Sequence, residues 1–295
     1  MKRGDKKRKG KGAFIAAAVF MALCILFIPF SLYENNHLDI TSINYLNDKI
    51  PAEFDGFKIV QLSDLHNKMF GKNQKRLTEK VKSLSPDIIV ITGDIVSRKD
   101  EKVKNAEMLL REMKKIAPVY YVEGNHEKYS SAYISTLISY MYSSGINVLW
   151  NSSSEIKRGN ASISLAGVRD LTVATSYGYS TSEREKVYIN WVKKTVGNAK
   201  SDFKILLAHR PEYFDEYSQS GAQLVFSGHA HGGQFILPFI GGVYTPGQGF
   251  KPKYYRGTYE KNGCTMVVNR GLGTSGFFLR INNHPEIICV TLKSR

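Results

Sequence analysis

Between residues 57 and 127 the chain alternates between apolar strands and amphipathic helices, and this alternation restricts its fold more than any other feature. Three stretches are apolar almost throughout and end in polar residues: FKIVQLSD (57–64), DIIVITGD (87–94) and PVYYVEGNHE (118–127). The stretches between them have the apolar spacing of helices: QKRLTEKVKSLSP (74–86) and EKVKNAEMLLREMKKIA (101–117). Apolar strands joined by helices predict a parallel sheet that is covered on both faces. The chain is therefore predicted to be an α/β protein.

The second half of the chain is richer in strands. After a helical stretch at 130–144, the strand-like sequences are SISLAGV (162–168), FKILLAH (203–209), AQLVFSGH (222–229), GCTMVVNRG (263–271) and EIICVTL (286–292). With 42% apolar residues, a chain of 295 residues has enough apolar surface to bury a large core. These features predict one domain over 51–295, built from two packed sheets with helices outside, and a polar spacer at 34–50 in front of it.

The N-terminus carries a basic tail followed by a long apolar segment. Residues 1–12 contain seven Lys or Arg and one Asp, and AFIAAAVFMALCILFIPF (13–30) has no charge over a helical length of about 27 Å, close to the thickness of a bilayer core. A buried core helix is the alternative, but the basic residues in front favour a transmembrane signal anchor over 13–33. No A-x-A sequence follows, so we expect the anchor to stay uncleaved. The positive-inside rule predicts a single pass through the cell membrane, with a cytoplasmic N-terminus and an extracytoplasmic domain.

The formal charge of +15 divides into +6 in the tail and +9 in the rest of the chain. This positive balance suits anionic partners such as lipid head groups, wall polymers or phosphorylated substrates. No nucleic-acid-binding motif accompanies the charge, so no nucleic-acid partner is expected. The sequence also indicates no obligate protein partner.

Polar residues gather where the predicted strands end. SDLH, TGD, EGNHE, AHRP and SGHAH each close one strand, and the carboxyl ends of parallel strands form the edge of a sheet where ligands bind. The donors at these ends mix oxygen and nitrogen and suit Mn, Fe or Zn: Asp64, His66, Asp94, Asn125, His209, His229 and His231. Seven donors exceed the need of one tetrahedral ion and suffice for two ions that share a carboxylate. In DLH and HAH, the donors at i and i+2 would face the same side of an extended strand.

Each of these motifs alone has an ordinary explanation. Asp and His are common at strand ends, and Gly-Asp is usual in turns. The occurrence of all five motifs at predicted strand ends favours a single metal-binding pocket over five unrelated turns.

The motifs also carry a family resemblance. D-x-H, G-D, G-N-H-[ED], H and G-H-x-H follow one another as in the calcineurin-like metallophosphoesterases, which the chain resembles over about residues 57–235. The sequences SDLHNKMFGKNQ and GHAHGGQFILPFIGGVYTPGQGF are most similar to the membrane-associated bacterial branch that includes the YkuE and YaeI phosphoesterases. The resemblance implies a four-layer α/β/β/α sandwich and two divalent metal ions, with Mn, Zn and Fe as candidates.

The resemblance further implies a role for each donor. The first metal would be held by Asp64, His66 and His231, the second by Asn125, His209 and His229, and Asp94 would bridge them. A hydroxide shared by the two ions would attack phosphorus, and the catalytic residue His126 would protonate or stabilise the leaving group. A structural hydrogen bond in the turn is the alternative role for His126.

Three arginines are candidates for binding the substrate phosphate: Arg98, Arg169 and Arg270. Arg98 stands where the protein-phosphatase branch of the family has an arginine, but that branch has Asp and Gly where this chain has Ser97 and Lys99. A solvated surface position is the alternative for Arg98.

The run QFILPFIGGVYTPGQGF (234–250) is strongly apolar for a loop. A core strand is the first interpretation of this run. An apolar lip for a lipid-linked or membrane-borne substrate is the second, and it would agree with a membrane anchor.

Together these features predict a membrane-anchored phosphoesterase with a binuclear metal centre, acting on phosphomonoester or phosphodiester bonds. The substrate is expected to be a phosphate ester, with lipid-linked and wall-associated molecules as candidates. One alternative is a pyrophosphatase that acts on a lipid-linked nucleotide sugar, similar to UDP-2,3-diacylglucosamine hydrolase. A second alternative is a noncatalytic binder of anionic cell-wall polymers.

Overall fold

The structure is a computed structural model that describes residues 3–98, 103–129, 131–276 and 279–295. Some predicted features extend beyond these ranges. Four of them lie partly outside the described residues: the first two residues of the basic tail, Lys99 after Arg98, residues 101–102 of the helix at 101–117, and the first residue of the helix at 130–144.

Strands and helices alternate between residues 58 and 129, and strands predominate from residue 204 onward. The helices of the described ranges are α1 (Arg3–Asn36), α2 (Lys75–Ser83), α3 (Lys104–Lys114), α4 (Asn125–Tyr129), α5 (Ser131–Ser143), α6 (Thr181–Gly197) and α7 (Phe214–Tyr217). The longer strands are β1 (Asp39–Leu46), β2 (Lys58–Leu62), β3 (Ile88–Thr92), β4 (Val119–Val122), β6 (Ser152–Arg158), β7 (Ala161–Gly167), β8 (Lys204–Leu207), β9 (Leu224–Ser227), β14 (Gly257–Lys261), β15 (Cys264–Val268) and β16 (Glu286–Lys293). Two-residue strands are β5 (Asn147–Val148), β10 (Ile236–Leu237), β11 (Gly241–Gly242), β12 (Tyr244–Thr245) and β13 (Gly249–Phe250).

The first sheet has the strand order β1-β16-β2-β3-β4-β5. Strands β2 to β5 are parallel, as the alternation with helices predicts, and Val60 lies opposite Ile89, which lies opposite Val119. Strand β16 pairs antiparallel with β2 and parallel with β1. The second sheet has the order β14-β15-β9-β8-β7-β6, with parallel pairing from β15 to β7 and antiparallel pairs at both edges.

Three apolar layers separate the two sheets and the helices. Helices α2, α3 and α5 cover the outer face of the first sheet through residues such as Leu109 and Ile91, and α6 and α7 cover the second sheet through residues such as Val192 and Leu206. The inner faces of the two sheets pack against each other through Val90, among others. The fold is therefore the predicted four-layer α/β/β/α sandwich.

The structure differs from the predicted spacer at 34–50. Residues 39–46 of this stretch form β1, an edge strand that pairs along its whole length with β16 near the other end of the chain. The sequence of β1, DITSINYL, does not alternate regularly between apolar and polar residues, so it lacks the pattern that marks a strand in sequence. Pairing with a distant strand, rather than local pattern, makes this segment part of the sheet.

The apolar run at 234–250 is not a core strand, contrary to the first interpretation. It folds into two short hairpins, β10–β11 and β12–β13, that lie outside both six-stranded sheets. Glycine and proline residues interrupt the run and prevent a long strand, and several of its large apolar side chains are exposed, with Phe239 fully so.

Helix α1 contains the predicted anchor. The window Ala18–Asn36 is long and apolar enough to cross a bilayer, and 6% of it is buried against the rest of the protein. The last turn of α1, in contrast, is attached to the domain. The Glu34 carboxylate accepts a hydrogen bond from the backbone N–H of Asn283 at 3.3 Å and lies 3.0 Å from Nε2 of His284.

Candidate metal centre

Hydrogen bonds between the two sheets bring the carboxyl ends of their strands together. The buried amide of Gln61 donates to Thr92 Oγ1 at 3.0 Å and to the carbonyl of Ser227, in the other sheet, at 2.9 Å. His209, which follows β8, donates from Nδ1 to the carbonyl of Thr92 at 2.6 Å. The loops that follow β2, β3, β4, β8 and β9 consequently meet at one place.

The first group of donors comprises Asp64, His66 and His231. Ligand atoms of the three residues all lie within 4.8 Å of one another. His231 Nε2 is 3.1 Å from His66 Nε2 and 3.5 Å from Asp64 Oδ1. All three side chains are buried.

The second group of donors comprises Asp94, His209 and His229. His209 Nε2 is 3.1 Å from His229 Nδ1 and 3.3 Å from Asp94 Oδ2. Helix α4 begins beside this group, because the backbone N–H of His126 donates to Asp94 Oδ1 at 2.8 Å. The preceding residue, Asn125, has a buried Oδ1 without a hydrogen-bond partner among the described residues.

Asp94 stands between the two groups. Its Oδ2 atom is 3.3 Å from His209 Nε2 of the second group and 3.9 Å from His66 Nε2 of the first. This is the position that a bridging carboxylate requires.

The donor separations fit metal ions. A tetrahedral ion bound about 2.0–2.1 Å from each nitrogen needs donor atoms roughly 3.3 Å apart, and the observed separations lie between 3.1 and 3.9 Å. His66 Nε2 and His231 Nε2 face each other at 3.1 Å, and in the tautomers that carry the proton on Nδ1 both nitrogens would offer lone pairs to a cation. The residues present therefore fit a pair of divalent cations.

The backbone of these loops is unusual. Five of the seven predicted ligands have a left-handed conformation, with φ of 50° at Asp64, 47° at His66, 51° at Asp94, 64° at His229 and 47° at His231. This conformation costs roughly 1–2 kcal/mol for a residue with a Cβ and is concentrated at functional sites. Strands β2 and β9 end before these residues. The prediction that the DLH and HAH donors lie along an extended strand is therefore wrong, because tight left-handed turns direct them to the site.

Burial sets the protonation of the histidines. Desolvation lowers the pKa of His66 to about 3 and holds the pKa values of His229 and His231 well below their usual range, so these rings are neutral and offer lone pairs. Burial acts in the same direction on His209, but the Asp94 carboxylate outweighs it and raises the pKa of His209 to about 10. The protonated His209 ring and Asp94 compensate each other's charge, and a bound cation would replace that proton.

A cavity of about 660 Å³ opens beside the two donor groups. This volume suits a small-molecule ester. Residues on its wall include Asp94, Arg98, Asn125, His126, Arg210, His229, His231, Gln234, Tyr244 and Ser275.

His126 is oriented towards this cavity. The backbone N–H of Arg98 donates to His126 Nδ1 at 3.2 Å, so the neutral ring carries its proton on Nε2. His126 Nε2 lies 3.3 Å from Ser275 Oγ and 3.9 Å from Asp94 Oδ2. Desolvation lowers the pKa of His126. The ring thus presents an N–H donor to the cavity next to the donor groups.

Comparison with known proteins agrees with this geometry. The family described as calcineurin-like phosphoesterase matches residues 57–233. The metallophosphoesterase YkuE of Bacillus subtilis is 30% identical over 302 residues, which cover 100% of this chain and 99% of that protein. The chain belongs to the calcineurin-like phosphoesterase family.

Two further similarities are found. A transmembrane protein with a metallophosphoesterase domain from Danio rerio is 30% identical over 83% of this chain, which spans 55% of that relative. A solved dimetal phosphatase from Danio rerio aligns with 74% of this chain and 88% of its own, at 12% identity and a TM-score of 0.44. As a member of the family, this phosphoesterase is a metal-dependent phosphoester hydrolase. Family membership does not fit the alternative of a noncatalytic polymer binder.

The three predicted arginines of the phosphoesterase have different positions. Arg98 lies on the cavity wall. Arg169 forms two hydrogen bonds with Glu123, at 2.6 and 3.1 Å, and its guanidinium lies 4.3 Å from the ring of Trp150. Arg270 pairs with Asp39 and Glu286, each at 3.0 Å. Neither Arg169 nor Arg270 is among the described residues that line the cavity.

Sequence analysis did not single out Arg210, although it directly follows His209 in the AHRP motif. Arg210 lines the cavity of the phosphoesterase and is held by Asp170, with Nε 2.7 Å from Oδ2 and Nη2 3.2 Å from Oδ1. Its Nη1 atom is 3.4 Å from His229 Nε2. The guanidinium is thus fixed beside the second donor group.

The sequence also predicted no separate role for Glu127, whose side chain supports the loops rather than the cavity. Its buried carboxylate accepts hydrogen bonds from the backbone N–H groups of Gly124 at 2.8 Å, Asp94 at 3.1 Å and Ile95 at 2.8 Å. These bonds join the loop after β3 to the loop after β4. Glu127 is the acidic residue at the end of the GNHE motif, and this position is the feature of the sequence from which its supporting role could have been predicted.

Proposed function

We propose that the phosphoesterase is a membrane-anchored enzyme that hydrolyses phosphomonoester or phosphodiester bonds at a binuclear metal centre. The observation that carries the proposal is the division of the buried donors into two groups with the Asp94 carboxylate between them. Two cations with open positions suit phosphoester hydrolysis, because one can orient the attacking oxygen while both neutralise charge on the phosphoryl group.

Each residue has a proposed role. Asp64, His66 and His231 would hold the first ion, Asn125, His209 and His229 would hold the second, and Asp94 would be shared by both. The Oδ1 atom of Asn125 has no partner among the described residues, and this supports its role as a ligand, since a buried amide oxygen is costly to leave unsatisfied. Mn, Zn and Fe each suit this mixture of imidazole, carboxylate and amide donors.

His126 is the proposed proton donor to the leaving oxygen. Its Nε2–H faces the cavity, and the hydrogen bond from Arg98 to Nδ1 fixes this tautomer. A positioned group of this kind contributes about 10²–10⁴-fold to the rate. Arg98 and Arg210, on the same wall, are the proposed contacts for the substrate phosphate.

We further propose that α1 stays attached as a single-pass anchor, with a cytoplasmic N-terminus and the domain outside. The low burial of Ala18–Asn36 and the basic residues before it support this topology. The contacts of Glu34 with Asn283 and His284 support attachment of the end of α1 to the domain, because cleavage after Glu34 would remove part of the packed structure. Protease added to intact cells should digest the domain and spare an N-terminal tag, and digestion of the tag would contradict the topology.

The catalytic proposal is tested on full-length protein in lipid nanodiscs loaded with Mn, Zn or Fe. We expect hydrolysis of bis(4-nitrophenyl) phosphate and two ions per chain. Asp94→Ala should lower turnover by at least about hundredfold, whereas the exposed control Asp48→Ala should leave it unchanged. Absence of turnover with all three metals would refute the proposal. Turnover of a lipid-linked nucleotide-sugar pyrophosphate alone would favour the pyrophosphatase alternative.

A further inference from the structure

An exposed apolar surface lies on the two hairpins that follow the metal-binding turn. We call its residues the apolar lip: Leu237, Phe239, Ile240 and Phe250. Phe239 is fully exposed, Phe250 is 78% exposed and Ile240 is 58% exposed. Isolated exposed apolar residues are common, whereas several large ones on two consecutive hairpins are typical of an interaction surface.

The apolar lip adjoins the cavity of the metal centre. Tyr244, Pro246 and Gly247, from the same hairpins, line that cavity together with Gln234. The ring of Tyr244 contacts that of Phe250 with centroids 5.4 Å apart, so one aromatic pair links the cavity wall to the lip. A molecule that enters the cavity therefore passes close to these exposed apolar side chains.

The lip is also connected to the end of helix α1. The segment 281–284 lies between them: Ile236 N–H donates to the Ile281 carbonyl at 3.0 Å, and Asn282 donates to the Ile236 carbonyl at 3.2 Å. On its other side, the same segment contacts Glu34 of α1 through Asn283 and His284. The first hairpin and the base of the anchor are thus separated by one stretch of chain.

Basic side chains accompany both features. Lys251 and Lys253 are exposed directly after the lip. At the base of the anchor, Arg76 donates to the carbonyl of Asn36 at 3.0 Å and Lys72 is exposed nearby in sequence. Apolar side chains flanked by lysine and arginine are the composition of segments that enter the interface of an anionic bilayer.

We infer that the apolar lip inserts into the surface of the membrane that α1 crosses, so that the cavity opens at the level of the lipid head groups. The partner that the apolar lip contacts is an anionic lipid bilayer. The inference rests on the proposed anchor and deepens the proposed function, because a cavity in this position receives phosphate esters that are carried by lipids. The substrate class is thus a phosphate ester attached to a membrane-embedded chain.

Insertion is tested by fluorescence, independently of catalysis. Full-length Phe239→Trp is placed in nanodiscs of phosphatidylcholine and phosphatidylglycerol, with or without lipids brominated near the head group. Relative to the parent protein, the added emission should be blue-shifted and quenched by the brominated lipids, since interfacial segments enter by about 5–10 Å. Tyr142→Trp on α5 is the matched control, because Tyr142 is also exposed but belongs to a helix that covers the outer face of the first sheet, and it should show neither effect.

The consequence for the substrate is tested with two esters that share one scissile bond. 4-Nitrophenyl hexadecyl phosphate inserts into the nanodisc, whereas 4-nitrophenyl ethyl phosphate stays in water. The double variant Phe239→Ser/Ile240→Ser, which leaves the Tyr244–Phe250 pair intact, should lower kcat/KM for the hexadecyl ester by at least about tenfold, the effect of losing one to two buried apolar side chains. Its kcat/KM for the ethyl ester should stay at the parent value.

The outcomes separate this inference from the catalytic proposal. Turnover of the ethyl ester without quenching of the Phe239→Trp variant would overturn membrane insertion and leave the hydrolase proposal intact. A blue shift without quenching by brominated lipid would show that a second protein surface covers the lip, which also overturns the inference. Quenching without turnover of either ester would support insertion and count against the proposed catalysis.

Discussion

Replacing Gly228 by alanine is expected to displace the Asp64 carboxylate and weaken the first donor group. Gly228 lies in the turn between β9 and His229, and a Cβ at this position would be 1.9 Å from Ser63 Oγ and 2.4 Å from Asp64 Oδ2. The Asp64 carboxylate accepts hydrogen bonds from the backbone N–H of His229 at 3.1–3.2 Å. The new methyl group would therefore push the carboxylate away from the loop that positions it.

The size of the effect follows from these distances. Ordinary contact with a Cβ begins at 3.4 Å, so Asp64 Oδ2 must move by about 1 Å, a misplacement that lowers catalytic rates by about hundredfold. Over-packing of a buried position costs about 1–3 kcal/mol in the free energy of unfolding. Both the metal affinity and the stability of the variant should fall.

The assay combines metal content, turnover and urea unfolding on Gly228→Ala. The control is Gly197→Ala at the end of α6, where a Cβ would meet no atom of the described residues within 4 Å. This control should keep both metals and full turnover, with equal or slightly higher stability because alanine favours helix.

A second variant tests the cause. Gly228→Ala combined with Ser63→Ala removes the hydroxyl at 1.9 Å but not the contact with Asp64. Compared with Gly228→Ala alone, this double variant should recover part of the lost stability and little of the lost metal affinity. Full metal content and turnover within about twofold of the parent in Gly228→Ala alone would refute the steric argument.

Three further predictions concern the site. His126→Gln should lower kcat by about hundredfold or more while both metals stay bound, because it removes a proton donor and no ligand; loss of metal would instead assign His126 to the ligands. His229→Ala and His231→Ala should each reduce the metal content from two ions towards one, with the loss at different sites; equal loss of both ions in each variant would contradict separate roles. Glu127→Ala should lower the free energy of unfolding by about 3 kcal/mol, since it leaves three buried backbone N–H groups without acceptors; an unchanged urea midpoint would show that other groups satisfy them.

The positions of the arginines illustrate what local sequence could not predict. Arg98, Arg169 and Arg270 stand in similar polar surroundings in the sequence, yet Glu123 and Asp39, both distant in the chain, pair with the last two. A guanidinium binds whichever carboxylate the fold brings near, and that partner is not encoded by neighbouring residues. Only Arg98 of the three reaches the cavity, and Arg210 joins it there.

Local pattern determined the layers and the chemical types of the site. Apolar strands alternating with helices predicted a covered parallel sheet, and polar residues after five strands supplied carboxylate, imidazole and amide donors at strand ends, which the fold divides between the two sheets. These properties follow from burial and side-chain chemistry, which each segment carries with it.

Tertiary structure alone decided how those groups meet. The left-handed turns at residues such as Asp64 and His229 are costly and exist because surrounding packing holds them. The edge strand β1 depends on β16, and the orientation of His126 depends on the backbone of Arg98. The exposure of Phe239 depends on what the rest of the chain leaves uncovered. Each of these features is a relation between distant segments, so it becomes defined only when the chain has folded.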